Sequence, residues 1–310
     1  MFTNNKIHLS EIKKNIPFDL ICDAEISFVG KLDLRHHEMK NMLVYCNDEN
    51  FLRKALQSDS VSAVIVGEES LVELASTHGK GIIFDQKIKD MSNYIQNYIS
   101  KIEDFQWKSF ETKIAKSAKI HSSACIAKSN VIIGENAVIN ANVCVNERTV
   151  IGSNCIIKEG VVVGTDAFEV YGDEENRSIA SQSGGVKIND NVSIQALCTI
   201  IRASYGGFTT LGNNTKLDAN IHVAHDCIID ENVSIAASAM LAGNVYVGKN
   251  SFIGPSSSIS NGVSIGKNCW VTIGSNVVRD VKDYCKVTGN FAIEHSLFIE
   301  NLKKSLNSKK

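Results

Sequence analysis

LGNNTKLDANIHVAHDCIIDENVSIAASAMLAGNVYVGKNSFIGPSSSISNGVSIGKNCWVTIGSNV, residues Leu211 to Val277, carries an aliphatic residue at every sixth position. The series is Leu211, Leu217, Val223, Ile229, Ile235, Leu241, Val247, Ile253, Ile259, Ile265, Val271 and Val277. A small or polar residue often follows, as at Gly212, Asp218, Ala224, Asp230, Ala236 and Gly248. A period of six suits neither a helix, with 3.6 residues per turn, nor a simple strand, which alternates every two. It is the repeat of a hexapeptide β-helix, in which each six-residue unit forms one flat face of a coil and its aliphatic side chain fills the shaft. Three units complete a turn.

Upstream, Ile114, Ile120 and Ile126 are in step, and one extra residue shifts the phase to Ile133, Ile139, Val145, Ile151, Ile157 and Val163. Ile188, Ile194 and Ile200 resume the series after an excursion from about Thr165 to Gly185, and a shorter excursion, ASYGGFTT, precedes Leu211. The sum is 24 units, or eight turns. A coil of fixed cross-section cannot absorb extra residues, so both excursions must leave it as loops, where function tends to sit.

Residues 1–105 lack this period and read as an α/β domain. EISFVGKL, MLVYC, SAVIV and GIIFD are apolar runs of strand length; DENFLRKALQS and SLVELAS have helical spacing, with Asp48 and Ser70 as caps. KIKDMSNYIQNYISKI reads as a helix leading to the coil. The expected order is an α/β domain over 1–105, a left-handed parallel β-helix over 106–288, and a short C-terminal helix within 289–310 that covers the end of the shaft.

A net charge of −2 gives no argument for nucleic acid or a charged membrane surface. No run of 18 apolar residues could span a bilayer, and the start, MFTNNKIHLSEIKKN, reads as neither signal nor transit peptide. Nine scattered cysteines without a C-x-x-C pair fit reduced thiols in a cytoplasmic protein.

KLDANIHVAHDCIID, Lys216 to Asp230, resembles the K-I-D-N-x-x-Q-I-A-H-N-V-x-I-G signature of the LpxD-like family, the UDP-3-O-acylglucosamine N-acyltransferases of lipid A synthesis. The likeness extends over most of the chain. Asp166 and Phe168 in VVGTDAF are similar to the family's G-x-D-G-F loop, Gln182 and Gly184 to its Q-x-G, and Arg202 to the arginine of its D-R-G. Tyr45 and Phe51 keep the spacing of an aromatic pair that sandwiches uracil in the family, with the two aromatics exchanged. GNFAIEH at Gly289 to His295 resembles the G-x-P-A that ends many acyltransferase coils, with phenylalanine for proline. The resemblance implies a homotrimer with sites between subunits, no bound cofactor or metal, and an acyl-CoA or acyl carrier protein as co-substrate.

His225 stands two places after the inward Val223, so its ring points off the coil. Asp218, seven residues earlier, is placed to orient it, and Gly243, one turn later, should stack beside it. The family's catalytic histidine, orienting aspartate and oxyanion-hole glycine fall on these three positions. The implied chemistry is direct acyl transfer, with His225 as general base, a role worth about 10²–10⁴ in rate, and the Gly243 N–H stabilising the oxyanion by roughly 3–4 kcal/mol. His222 aligns with the family's glutamine and is a candidate substrate contact. Against these stand plainer readings: a solvated surface His225, Tyr45 and Phe51 as core aromatics, and Cys227 as a packed thiol. Lys249, Lys267 and Arg279 read as surface charges or as partners of donor phosphates.

Some family positions are lost: Glu169 replaces a glycine, Ile201 the D-R-G aspartate, and Gly262 a donor-side histidine. The tail is also shorter than the one that meets acyl carrier protein. These departures favour a cousin enzyme that N-acylates an amino-deoxysugar on a nucleotide, thymidine diphosphate before uridine diphosphate, with a short-chain (or 3-hydroxyacyl) CoA, for surface glycans. The alternative is the lipid A N-acyltransferase itself. From other classes, a γ-type carbonic anhydrase would need three shared histidines, with His121 remote from His222 and His225, and a scaffold would need only the period.

Overall fold

A computed structural model describes residues 3, 5–32, 39–289 and 292–307, with side chains for all of these except 305–307. The inward positions of the sequence period line the shaft: from Leu211 to Val271 each is at most 1% exposed. Two- to four-residue strands stack into three parallel sheets. The first face begins at Lys113–Ile114, the second at Lys119–Ile120 and the third at Cys125–Ile126; the second runs on to Lys286–Val287. Each rung pairs with the residue one turn on, as Leu217 with Ile235 and Val223 with Leu241. The coil is a left-handed β-helix of hexapeptide repeats.

The corners explain why six residues suffice per face. Three residues after each inward side chain the backbone turns through the left-handed region, with φ 61° at Asn214, 59° at Asn220, 58° at Asn232, 59° at Asn244 and 61° at Asn250. Most L-residues lose about 1–2 kcal/mol there, and asparagine loses less because its short amide bonds locally. Three of these amides form a ladder along one edge, Asn214 donating to Asn232 at 3.1 Å, Asn232 to Asn250 at 3.2 Å and Asn250 to Asn268 at 3.3 Å.

Because the shaft is close-packed, Ile229→Ala leaves a void that neighbouring rungs cannot fill. The expected loss is about 2–5 kcal/mol, read as a lower midpoint in chemical denaturation.

Ahead of the coil, a five-stranded sheet runs in the order Asp19–Cys22, Gly81–Phe84, Val61–Val66, Met42–Cys46, Phe28–Gly30. The last four strands are parallel and the first is antiparallel. Alternation sends Leu43 to one side and Val44 to the other. Leu43, Val29 and Ile65 meet α1 (Leu9–Lys13) and α4 (Ile88–Ile99), while Val44, Val64 and Val66 meet α2 (Glu49–Gln57) and α3 (Glu69–Ser76). Asp48 caps α2, accepting from the Phe51 N–H at 2.8 Å. Ser70 does not cap α3: the helix starts at Glu69, and Glu68 precedes it without a side-chain bond. Among the described residues no helix is long and apolar enough to cross a membrane.

Both excursions meet this first domain. The longer one carries a hairpin of Val170–Tyr171 with Ser178–Ile179. It packs on α4: Tyr171 stands edge-on to Tyr94, and the Ser181 hydroxyl donates to Asn97 at 2.6 Å. The shorter one places Tyr205, 2% exposed, inside the first domain's own core with Val29, Leu43 and Ile65. The C-terminal helix α5 (His295–Asn307) does not cover the shaft in a single chain, since Leu297, Phe298 and Leu302 stay exposed. Asn290 and Phe291 of GNFAIEH lie outside the described residues.

Candidate active site

One edge of the prism gathers the chemistry. Third-face strands hand over to first-face strands across this corner, and both excursions leave the coil there, between Val162–Thr165 and Gly185–Ile188 and between Thr199–Ile201 and Phe208–Leu211. The next corner along the same edge holds Ala224, His225 and Asp226; the one after holds Ala242, Gly243 and Asn244.

At the His225 corner the left-handed position is taken by an aspartate, Asp226, with φ 59°. Its carboxylate, 1% exposed, lies 2.8 Å from His225 Nδ1. It also accepts from the Ser204 N–H, at 3.1 Å to Oδ1 and 3.3 Å to Oδ2. A carboxylate only accepts, so the ring keeps its proton on Nδ1 and presents a bare Nε2. That nitrogen points along the edge toward the next rung: a Cβ built on Gly243 would stand 2.5 Å from Nε2, 2.4 Å from Cε1 and 3.0 Å from Asn261 Oδ1. Only glycine fits there. The Ala242 and Asn244 amides join the inter-rung ladder, whereas the Gly243 N–H has no acceptor among the described residues.

Asp218 is not brought to His225. It lies at the preceding corner, between the second and third faces, where its carboxylate accepts from the Ala219 N–H at 2.8 Å. It lines a groove of about 460 Å³ with Lys216, Ser234 and Phe252. Seven residues is one face plus one, so the spacing carries Asp218 round to a different edge. The orienting group is Asp226 instead, and its signal was available: an aspartate at a corner position held elsewhere along the coil mostly by asparagine. His222 is exposed on the third face between Thr199 and Met240. Desolvation, with His225 alongside, holds its ring below the ordinary imidazole range. Cys227 is buried, its thiol 3.1 Å from the Ala242 carbonyl.

Of the loop residues, Asp166 and Arg202 meet, Oδ1 to Nε at 3.2 Å, and Arg202 Nε also donates to the Gly164 carbonyl at 2.8 Å. Gln182 is buried beside them: its carbonyl accepts from Arg148 at 3.2 Å, and its side chain donates to the Ala180 carbonyl. Burial is the main cause lowering both guanidinium pKa values, and Arg202 adds to it for Arg148. Phe168, 87% exposed, makes a projecting tip. Glu169 is buried, its Oε1 3.5 Å from the Tyr205 hydroxyl, 3.6 Å from Lys31 and 3.8 Å from Lys89.

Tyr45, next to last in the strand Met42–Cys46, lies toward the carboxyl edge of the parallel strands and packs against the core cluster containing Tyr205; Phe51, in the first turn of α2, packs against the other cluster. Both rings are half-buried. Lys249 pairs with Glu231, and Lys267 lies 3.6 Å from Asp283.

Sequence comparison bears on the coil. Residues 130–165 and 208–243 match the bacterial transferase hexapeptide (six repeats), and residues 244–278 match the hexapeptide repeat of succinyl-transferase. An acyl-[acyl-carrier-protein]–UDP-N-acetylglucosamine O-acyltransferase from Campylobacter concisus is 32% identical over 122 residues, 39% of this chain and 47% of that protein. A UDP-3-O-acylglucosamine N-acyltransferase from Leptospira biflexa is 39% identical over 70 residues, 23% of this chain and 19% of the relative. The chain spans about half or less of the length of these curated relatives. Among solved structures, the Francisella novicida UDP-N-acetylglucosamine acyltransferase superposes with a TM-score of 0.46 at 25% identity, over 57% of this chain and 66% of that one.

Proposed function

We propose that this chain, whose coil belongs to the hexapeptide-repeat transferases, is an N-acyltransferase that moves an acyl group from a thioester to the amine of a nucleotide-linked amino-deoxysugar. The observation that carries this reading is the pairing, on adjacent rungs, of an imidazole whose Nδ1 is held by a buried carboxylate and a glycine whose N–H has no acceptor among the described residues. The sugar amine attacks the thioester carbon. His225 Nε2 takes the proton that the nitrogen sheds, while the Gly243 N–H donates to the oxygen that becomes negative. Collapse of the tetrahedral intermediate breaks the carbon–sulfur bond, and the thiolate leaves with the proton from the imidazolium. The products are an amide and a thiol. The thioester is already activated, so no covalent enzyme intermediate is required.

Asp226 fixes the tautomer that makes Nε2 a base. Asp226→Asn is expected to lower kcat on the order of 10²-fold, the lower end of what a positioned general base contributes, with little change in either KM, read by steady-state kinetics. Asp218→Asn, at another edge, is expected to stay within about threefold of the native rate, short of the roughly 1 kcal/mol that a lost hydrogen bond averages.

Tyr45 and Phe51 support a nucleotide platform, half-buried aromatics at the carboxyl edge of parallel strands, where α/β sheets take ligands. Glu169, Ile201 and Gly262, which depart from the lipid A pattern, favour a dTDP-sugar and a short-chain acyl-CoA. The named Leptospira relative favours the second reading, a UDP-3-O-acylglucosamine N-acyltransferase, and the name of the Campylobacter relative favours acyl carrier protein as its donor. The proposed assembly is a homotrimer with sites between shafts, supported by exposed outward residues such as Met240 and Trp270. Calorimetric titration with dTDP and UDP tests the platform: binding of either, weakened in Tyr45→Ala, is expected, and binding of neither would remove the sugar-nucleotide assignment.

A further inference from the structure

We propose that Tyr205 is a positioning residue for the His225–Asp226 pair, through which the first domain holds the catalytic base in register. The inference rests on the acyltransferase reading for its kinetic consequence, but not for its structural one.

The connection can be followed residue by residue. Asp226, which holds His225, takes a hydrogen bond from the Ser204 amide. Ser204 sits in a loop of six residues, 202–207, that leaves the coil one rung earlier on the same edge. The loop is held from several sides. On the coil side, Thr209 in the strand that follows the loop accepts from the Asp226 N–H at 2.9 Å through Oγ1. On the side of the longer excursion, the Ser183 N–H donates to the Ser204 carbonyl at 3.0 Å and the Gly184 N–H to the Ala203 carbonyl at 3.1 Å. Toward the first domain it is held by Tyr205, whose ring is enclosed among Val29, Leu43 and Ile65. Lys31 lies over that ring at 5.4 Å, and Glu169 faces its hydroxyl.

Adjacent residues in a six-residue loop cannot move independently. The Tyr205 ring is anchored in one domain and the Ser204 amide contacts the carboxylate in the other, so the ring, together with the Gly184 bond to the same peptide, sets where that amide points. Without the ring, the loop loses its anchor on the first domain. The amide then drifts from Asp226, and the carboxylate gains freedom to rotate away from Nδ1. Tyr45, half of the proposed nucleotide platform, packs against the same cluster as Tyr205. The platform and the base therefore share one rigid support.

Gly206 offers an independent handle. Its φ is 147°, and a Cβ there would stand 3.1 Å from Phe28 Cδ1 and 3.2 Å from Met39. Gly206→Ala therefore strains the loop and pushes it off the first domain while leaving the Tyr205 ring intact.

The test is proton NMR of protein selectively labelled with ¹⁵N-histidine, in the absence of substrate, with kinetics alongside. A ring N–H hydrogen-bonded to a buried carboxylate gives a low-field resonance protected from exchange; His225→Asn and Asp226→Asn assign it by its loss. Tyr205→Leu and Gly206→Ala are expected to lose or broaden it. Both should lower kcat roughly tenfold to a hundredfold, the scale of a misplaced group. Tyr205→Phe keeps the ring and is expected to retain the resonance. Persistence of the resonance at native intensity in folded Tyr205→Leu and Gly206→Ala would overturn the proposal, since a merely structural tyrosine leaves it in place. The resonance requires no turnover, so a native protein without acyl transfer would count against the enzymatic reading and leave this one standing.

Discussion

Replacing His225 by alanine or by asparagine is expected to lower kcat by about 10²–10⁴, the contribution of a positioned general base, while the affinity for the acyl donor stays within about twofold. Two substitutions are needed because they fail for different reasons. Alanine removes the ring and lets water into the corner. Asparagine keeps a polar group of similar reach and can still meet Asp226, but has no nitrogen lone pair of the right basicity at the Nε2 position. If basicity is what counts, the two variants fall together; if His225 merely fills the corner, asparagine retains activity. The geometry predicts the former, because Nδ1 is committed to Asp226 at 2.8 Å and only Nε2 is left to face the next rung. Steady-state rates across donor concentrations separate kcat from KM.

Gly243→Ala is expected to lower kcat by about 10²–10³, comparable with the loss of an oxyanion-hole donor, with the coil still folded. One methyl group acts here in two ways. Built at Gly243, it stands 2.4–2.5 Å from the imidazole, closer than non-bonded atoms tolerate, so the ring must swing off its line to the amine. It also occupies the space through which a thioester carbonyl would reach the Gly243 N–H. The obstacle is mostly side chain, Asn261 Oδ1 being the third contact, so the rungs themselves need not shift and the protein should fold. Circular dichroism of the variant together with its turnover distinguishes a blocked site from a broken coil.

The coil was legible because its physics repeats. A shaft of constant width demands one aliphatic residue per face, and nothing but a six-residue period satisfies that over eight turns. The first domain's central strands were legible for the usual reason that Met42 to Cys46 and Ala63 to Val66 are continuous apolar runs. Its opening elements were not: Ile7–His8, α1 and Asp19–Cys22 are short, and the last is an edge strand with little buried surface, so they leave no pattern. The adjacency of Gly243 and His225 was legible, since stacking follows from the length of one turn. The site was misread at Asp218, because seven residues along the chain is not one position along an edge. Asp226 occupies a corner position that is mostly asparagine along the coil, and its carboxylate alone sets it apart. Tyr205 could not be foreseen at all, since a single aromatic in a loop carries no sign that it completes another domain's core.

Mass spectrometry of reactions that pair nucleotide-linked amino sugars, on dTDP and on UDP, with acyl-CoAs of increasing length and with acyl carrier protein thioesters addresses the central assignment most directly. The expected result is a sugar nucleotide heavier by one acyl group, which alkali leaves in place as it would an amide and not an ester, formed by the native protein and not by His225→Ala. No acylated product with any pairing, or product formed equally by the His225→Ala protein, would contradict it.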